Sequence, residues 1–173
     1  MAPRSFPGSV VRCIRTALIP AANLSILAEA IGCSVAFVSA VSAQERGISE
    51  IVVDEWGVPH VYAEDFDNLG WGFGWAQMEA HGEAILRLYG TARGRGAEYW
   101  GADFLASDRL LRALDIPDLA RVALNGQDED LRAYLEAFAA GMNAYAEAHP
   151  DAFTDEAAAV LPVEPEDPLR HSA

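Results

Sequence analysis

Asp54-Glu55-Trp56-Gly57-Val58-Pro59-His60-Val61-Tyr62-Ala63 is the stretch on which the fold of this chain turns. β-Branched residues lead into it between Ser49 and Val53, and Gly57-Val58-Pro59 is a turn signal. His60-Val61-Tyr62 resumes an extended pattern, so the chain from Glu50 to Ala63 reads as a short β-hairpin. Pro59 has no N–H to give to a ladder and suits a turn or an edge strand. Asp54 and His60 are expected to hold the hairpin and its contact with the next helix.

Downstream, Trp71, Phe73 and Trp75 alternate with Gly70, Gly72 and Gly74, a pattern that by itself fits a strand. Trp71, Trp75, Met78, Gly82, Ile85 and Tyr89 also follow a helical stripe, and Asp67 is placed to cap it. Length decides for a helix running to Tyr89. Each glycine costs a helix about 1 kcal/mol relative to Ala, which makes sense where a neighbouring element packs closely. Arg93-Gly94-Arg95-Gly96 ends the helix, Ala97 to Trp100 approaches the core again, and Ala102 to Arg112 reads as one short helix. Asp115 with Pro117 opens another to Leu124, stopped by Asn125-Gly126. Asp128-Glu129-Asp130 puts negative charge at the start of a last long helix, whose stripe is Leu131, Tyr134, Leu135, Phe138, Met142 and Tyr145. The tail from Asp151, with Pro162, Pro165 and Pro168, reads as an extended or irregular connector.

Upstream of the hairpin the composition changes. Arg4, Arg12 and Arg15 precede a mostly apolar stretch from Ala17 to Val41, closed by Val41-Ser42-Ala43. This is the layout of a secretory signal, so residues 1–43 are expected to be a removable leader and 44–173 the mature segment. An uncleaved anchor is the alternative, but Pro20, Asn23 and Glu29 interrupt the apolar run. Both cysteines, Cys13 and Cys33, fall in the leader, leaving the mature part without a disulfide or thiolate site. Its expected location is the periplasm or the exterior. A net charge of −14, with 12 basic residues against 26 acidic, argues against nucleic acid as a partner.

No residue stands out as catalytic. The four histidines, His60, His81, His149 and His171, include no pair at i, i+4 spacing, and no metal site is expected. A site from His60, Asp54 and Glu55 is weaker than a structural role for them. Glu79 and Glu83, one helical turn apart, fit a solvated salt-bridge face with Arg87 better than an acid/base pair. Arg93 and Arg95 fit a turn whose guanidinium groups anchor carboxylates of other segments better than an anion site. Of the hydroxyls Ser49, Thr91, Ser107, Thr154 and Ser172, none lies in a nucleophile elbow, and Ser107-Asp108 fits a polar helix face.

The Asp54–Ala63 run resembles the start of the A chain in the penicillin acylase family, which includes cephalosporin, aculeacin-type and acyl-homoserine-lactone acylases. The likeness continues through Gly72-Phe73-Gly74-Trp75-Ala76-Gln77 and Ala92-Arg93-Gly94-Arg95-Gly96-Ala97-Glu98-Tyr99-Trp100-Gly101. Ser107-Asp108-Arg109, Ile116-Pro117, the run from Tyr134 to Tyr145, Leu161-Pro162 and Pro165-Glu166-Asp167 extend it, collinear over residues 48 to 167. The resemblance implies an α+β fold, a partial N-terminal-nucleophile hydrolase (αββα) architecture, here mostly helical with an N-terminal β-hairpin.

The same resemblance implies a precursor that cuts itself into A and B chains, with a serine at the head of the B chain attacking an amide. This segment is then expected to be a truncated A-chain piece, inactive alone, whose partners are the B chain and a small N-acylated amide. No cofactor is expected, and calcium, a ligand of full-length family enzymes, is assigned to no residue here. A β-lactam, an acyl-homoserine lactone and a lipopeptide all remain open as substrates. Ala80-His81-Gly82 departs from the usual family sequence, and Pro168 is expected to alter the helix at that point. The alternatives are a non-catalytic exported binding module and a truncated reading frame, whose Trp71, Trp75 and Phe138 would be exposed.

Overall fold

The computed structural model describes residues 12–15 and 50–173. The expected leader lies outside the described residues except for a strand, β1 (Arg12–Arg15). The expected hairpin is present as β2 (Glu50–Val53) and β3 (Pro59–Tyr62), with Val53 opposite Pro59 and Glu50 opposite Tyr62. β1 pairs antiparallel with the other side of β2, so the sheet order is β1-β2-β3 and Pro59 lies on an edge strand. Gly57 makes the turn with a left-handed φ of 79°, a conformation glycine adopts without strain. One sheet face buries Ile51 with Val61 against Trp75 and Ala76, while His60 and Tyr62 on the other face are exposed.

α1 (Phe66–Ala92) is the helix expected from the Gly/aromatic segment. Its cap is Asp65 rather than Asp67: the Asp65 carboxylate accepts the Asn68 N–H at 2.8 Å, and Asp67 sits inside the first turn. The helix leaves regular geometry at His81 (φ −142°, ψ 17°). The adjoining Gly82 packs where a Cβ would run into the Phe153 ring and the Met78 sulfur.

α1 packs on α5 (Glu129–Ala148), and their close approach accounts for the glycines. A Cβ on Gly70 would strike the Tyr134 carbonyl, one on Gly74 the Phe138 carbonyl, and one on Gly141 the Trp71 carbonyl. Met78, Leu86, Tyr89, Phe138 and Met142 form the core between the two helices. Asp128 caps α5 by accepting the Leu131 N–H at 2.8 Å. The expected stripe of α5 holds except at its start, where Leu131 projects into solvent beyond the overlap with α1. Trp75 and Phe138 are buried within this chain, so the exposure foreseen for a truncated product does not occur at either.

Between them lie α2 (Gly96–Trp100), α3 (Leu105–Ala113) and α4 (Ile116–Asn125). The helix expected over 102–112 is split, with a 3-10 turn at Ala102–Phe104 feeding α3. Asp115 precedes α4 as expected but makes no side-chain cap. Its backbone is left-handed (φ 58°), which Asp tolerates, and it makes the corner between α3 and α4 instead.

The tail is not a connector. It forms α6 (Asp155–Ala158) and α7 (Asp167–Ser172) and supplies Val160 and Val163 to the main core. Asn143 grips it like a strand partner, donating Nδ2 to the Val163 carbonyl at 2.9 Å and accepting the Val163 N–H at 2.7 Å. Pro168 occupies the first turn of α7, where its missing N–H has no helical acceptor to lose, so it starts that helix rather than spoiling it. No helix among the described residues is long and apolar enough to cross a membrane.

Candidate functional site

Asp54 and His60 meet as expected, with His60 Nε2 3.1 Å from Asp54 Oδ2. The other carboxylate oxygen accepts the N–H groups of Trp56 and Val58, each at 2.9 Å, so one side chain closes the whole turn. The His60 hydrogen bond, then that from Val58, holds the Asp54 carboxyl below its usual range. The consequence is an indole, Trp56, carried on a fixed turn at 82% exposure. Among the described residues there is no group of three His, Cys, Asp or Glu side chains arranged to hold a metal.

The expected Glu83–Arg87 ion pair is not formed. Glu83 reaches the tail, where it accepts the Thr154 hydroxyl at 2.6 Å and the Thr154 N–H at 3.3 Å. Arg87 instead lies over the rings of Trp100 and Phe104, 5.6 and 5.7 Å from their centroids. Three of the hydroxyls are similarly engaged: Thr91 donates to the Arg87 carbonyl and Ser172 to that of Leu169, while Thr154 caps α6. Ser49 lies outside the described residues.

Arg93 does anchor another segment. Its Nε and one terminal nitrogen donate to the two Asp167 oxygens at 2.9 and 2.5 Å, and the guanidinium also donates to the carbonyls of Val160 and Pro162. Asp167 is fully buried and also accepts from Arg170 and from the Glu164 N–H. Burial works against the Arg93 charge, but hydrogen bonding to Asp167 and its negative charge outweigh it and raise the pKa. Arg95 behaves differently, pairing within its own turn with Glu98 at 2.5–2.7 Å.

Asp108 corrects the sequence reading most. It is not on a polar helix face but buried, with its two oxygens accepting the Gly96 and Ala97 N–H groups at 2.9 and 2.8 Å. It thereby supplies the start of α2 with the acceptor that Arg95 does not provide. The only signal for it was an acidic residue inside a short amphipathic helix, indistinguishable there from a solvated one. Asp108 also lines a cleft of about 290 Å³ between the Gly94–Glu98 turn and α3.

A sequence profile of the penicillin amidase family matches residues 49–168, from the hairpin to the first turn of α7. The chain belongs to the penicillin amidase family. Penicillin G acylase of Escherichia coli is 28% identical over 136 residues, 79% of this chain and 14% of that protein. The acyl-homoserine lactone acylase PvdQ of Pseudomonas putida is 31% identical over 120 residues, 63% of this chain and 16% of that protein. This chain therefore spans about one seventh of the length of these relatives. A thermostable penicillin G acylase from Alcaligenes faecalis superposes with a TM-score of 0.63 at 22% identity, over 71% of this chain and 69% of that one. The hairpin and the helices packed on it are thus part of an N-terminal-nucleophile hydrolase fold, the α+β class expected from the motifs. The acylase relationship makes the chain part of an amidohydrolase family.

Proposed function

We propose that this chain is the N-terminal part of an exported acylase that hydrolyses the amide bond of a small N-acylated substrate. The nucleophile in this reading is a serine at the head of a B chain, which docks on this A-chain segment. The observation that carries it is the collinear family match over residues 49–168 in a chain spanning only 14% of penicillin G acylase. The side chains fit a scaffolding role. Asp54, Arg93, Asp108 and Asn143 are committed to backbone and ion-pair contacts that order the hairpin, α2 and the tail.

Chemistry would enter with the partner. The α-amine of a chain-leading serine titrates near enough to neutrality to take the hydroxyl proton as the oxygen attacks the acyl carbon. Donors beside it would stabilise the oxyanion. This chain contributes the layer against which that core is built.

The test is amide hydrolysis by the purified 173-residue chain, alone and co-expressed with a serine-led B-chain segment from a penicillin G acylase. No turnover alone and turnover on co-expression are expected. Appreciable turnover by this chain alone sinks the reading. Export is checked by fusing residues 1–43 to a reporter active only outside the cytoplasm, and a silent reporter removes that part.

A further inference from the structure

The cleft between the Gly94–Glu98 turn and α3 carries a charge pattern unlike the rest of this acidic chain. Its lining holds three arginines, Arg95, Arg109 and Arg112, against two carboxylates, Glu98 and Asp108. Both carboxylates are already engaged. Glu98 makes a two-bond pair with Arg95, and Asp108 spends one oxygen on each of two backbone N–H groups. Arg112 uses its Nε, donating to the Gly94 carbonyl at 3.0 Å, and its terminal nitrogens make no hydrogen bond among the described residues. Arg109, one turn earlier on α3, makes no hydrogen bond or ion pair among the described residues.

These tethers fix the wall without consuming its donors. Gly94, at a left-handed φ of 66°, turns its carbonyl onto Arg112, and Asp108 pins the start of α2 opposite. Two guanidinium groups at i, i+3 therefore line one side of the cleft. Leu105, 46% exposed, and Ala97 give it an apolar surface. The volume, about 290 Å³, lies at the small end of the range that holds small molecules. Guanidinium groups match a carboxylate through paired N–H donors, and the apolar wall disfavours a fully hydrated inorganic anion.

We propose that this cleft binds a small organic carboxylate, its head group on Arg109 and Arg112 and its apolar body against Leu105 and Ala97. Every group it uses belongs to this chain. The positions singled out in the sequence, Arg93 and Arg95, are not its ligands, because Asp167 and Glu98 occupy them.

The experiment is an amide-resolved NMR titration of the full 173-residue chain with hexanoate, with hexanamide and inorganic phosphate as comparison probes. Saturable shifts confined to the Gly94–Glu98 turn and α3 are expected with hexanoate, and none with hexanamide. Arg109→Gln, which removes no tether, should weaken hexanoate binding about tenfold, the factor equivalent to one charge-assisted contact. Arg121→Gln, at an exposed arginine paired to Asp118 on α4, should leave it unchanged. Absence of saturable hexanoate binding overturns the proposal, as does equal binding of hexanamide or of the Arg109→Gln chain. Phosphate binding as tightly as hexanoate overturns the assignment to an organic carboxylate.

Discussion

Arg93 and Asp167 stand 74 residues apart in the chain and meet as a two-bond pair in the interior, Asp167 fully buried. The pair joins the end of α1 to the start of α7, and Arg93 holds the Val160 and Pro162 carbonyls on the way. Replacing such a pair whole by apolar residues often costs little, but removing one partner strands a buried charge. Asp167→Ala strands Arg93 and leaves Arg170 with Glu164 alone, and should cost about 3–5 kcal/mol. Arg93→Met combined with Asp167→Leu should cost less than the sum of the single changes. Urea denaturation at constant slope measures both. Strict additivity would show that the pair does not couple the tail to α1.

The α1/α5 crossing makes a sharper prediction, because helix propensity and packing oppose each other there. Alanine is favoured over glycine by about 1 kcal/mol in an isolated helix. At Gly74 and Gly141 the added methyl would meet the Phe138 and Trp71 carbonyls of the facing helix, which cannot move alone. Gly74→Ala and Gly141→Ala should therefore each destabilise by about 1–3 kcal/mol or more. Gly126→Ala is the contrast: its φ is −86° and the nearest atoms to a new Cβ are 3.4 Å away. It should be neutral or stabilise by up to about 1 kcal/mol. Thermal unfolding of the three variants settles the order.

Local chemistry explains which parts of this fold were legible beforehand. The hairpin could be read because Gly57 and Pro59 mark its turn within four-residue strands, and α5 because Asp128 caps a regular stripe. The tail could not, since its prolines spoke for a connector while its burial is set by Arg93 and Asn143, 67 and 20 residues away. Glu83 was misassigned because i, i+4 arithmetic sees one helix only, whereas Thr154 from the tail takes Glu83 and the rings of Trp100 and Phe104 take Arg87. The Arg109/Arg112 cleft needed the same non-local knowledge: only the folded chain shows that Asp167 and Glu98 occupy the neighbouring arginines while α3 turns two others onto the cleft.

Asp108 offers a test of that non-local wiring. Asp108→Ala leaves the Gly96 and Ala97 N–H groups without their acceptor, and a buried donor left unsatisfied costs about 1–3 kcal/mol. Asp108→Asn keeps one carbonyl oxygen and should lose less. Hydrogen exchange gives the diagnostic readout. The Gly96 and Ala97 amides should exchange faster in Asp108→Ala by a larger factor than amides at the centre of α5. A uniform acceleration would mean that Asp108 acts on global stability alone.

Tyr89 makes the chain's stability depend on pH in alkali. Burial, and secondarily the negative charge of Asp167, push its phenol up to about 12. An unfolded tyrosine titrates near 10, so below that pH both states hold the proton and Tyr89 adds no pH dependence. Between roughly 10 and 12 the unfolded chain releases the proton while the folded chain keeps it. The unfolded state then binds fewer protons, and stability falls as pH rises, by about 2 kcal/mol across the window. Tyr89→Phe has no proton to release and escapes this loss. Tyr134, also raised by burial, contributes equally to both proteins and cancels in the comparison. The difference in unfolding free energy between the Phe variant and the parent should therefore drift in favour of the variant from pH 10 upward and level off near 12. A difference that stays flat across that window would show that the Tyr89 phenol is free to ionise in the folded chain.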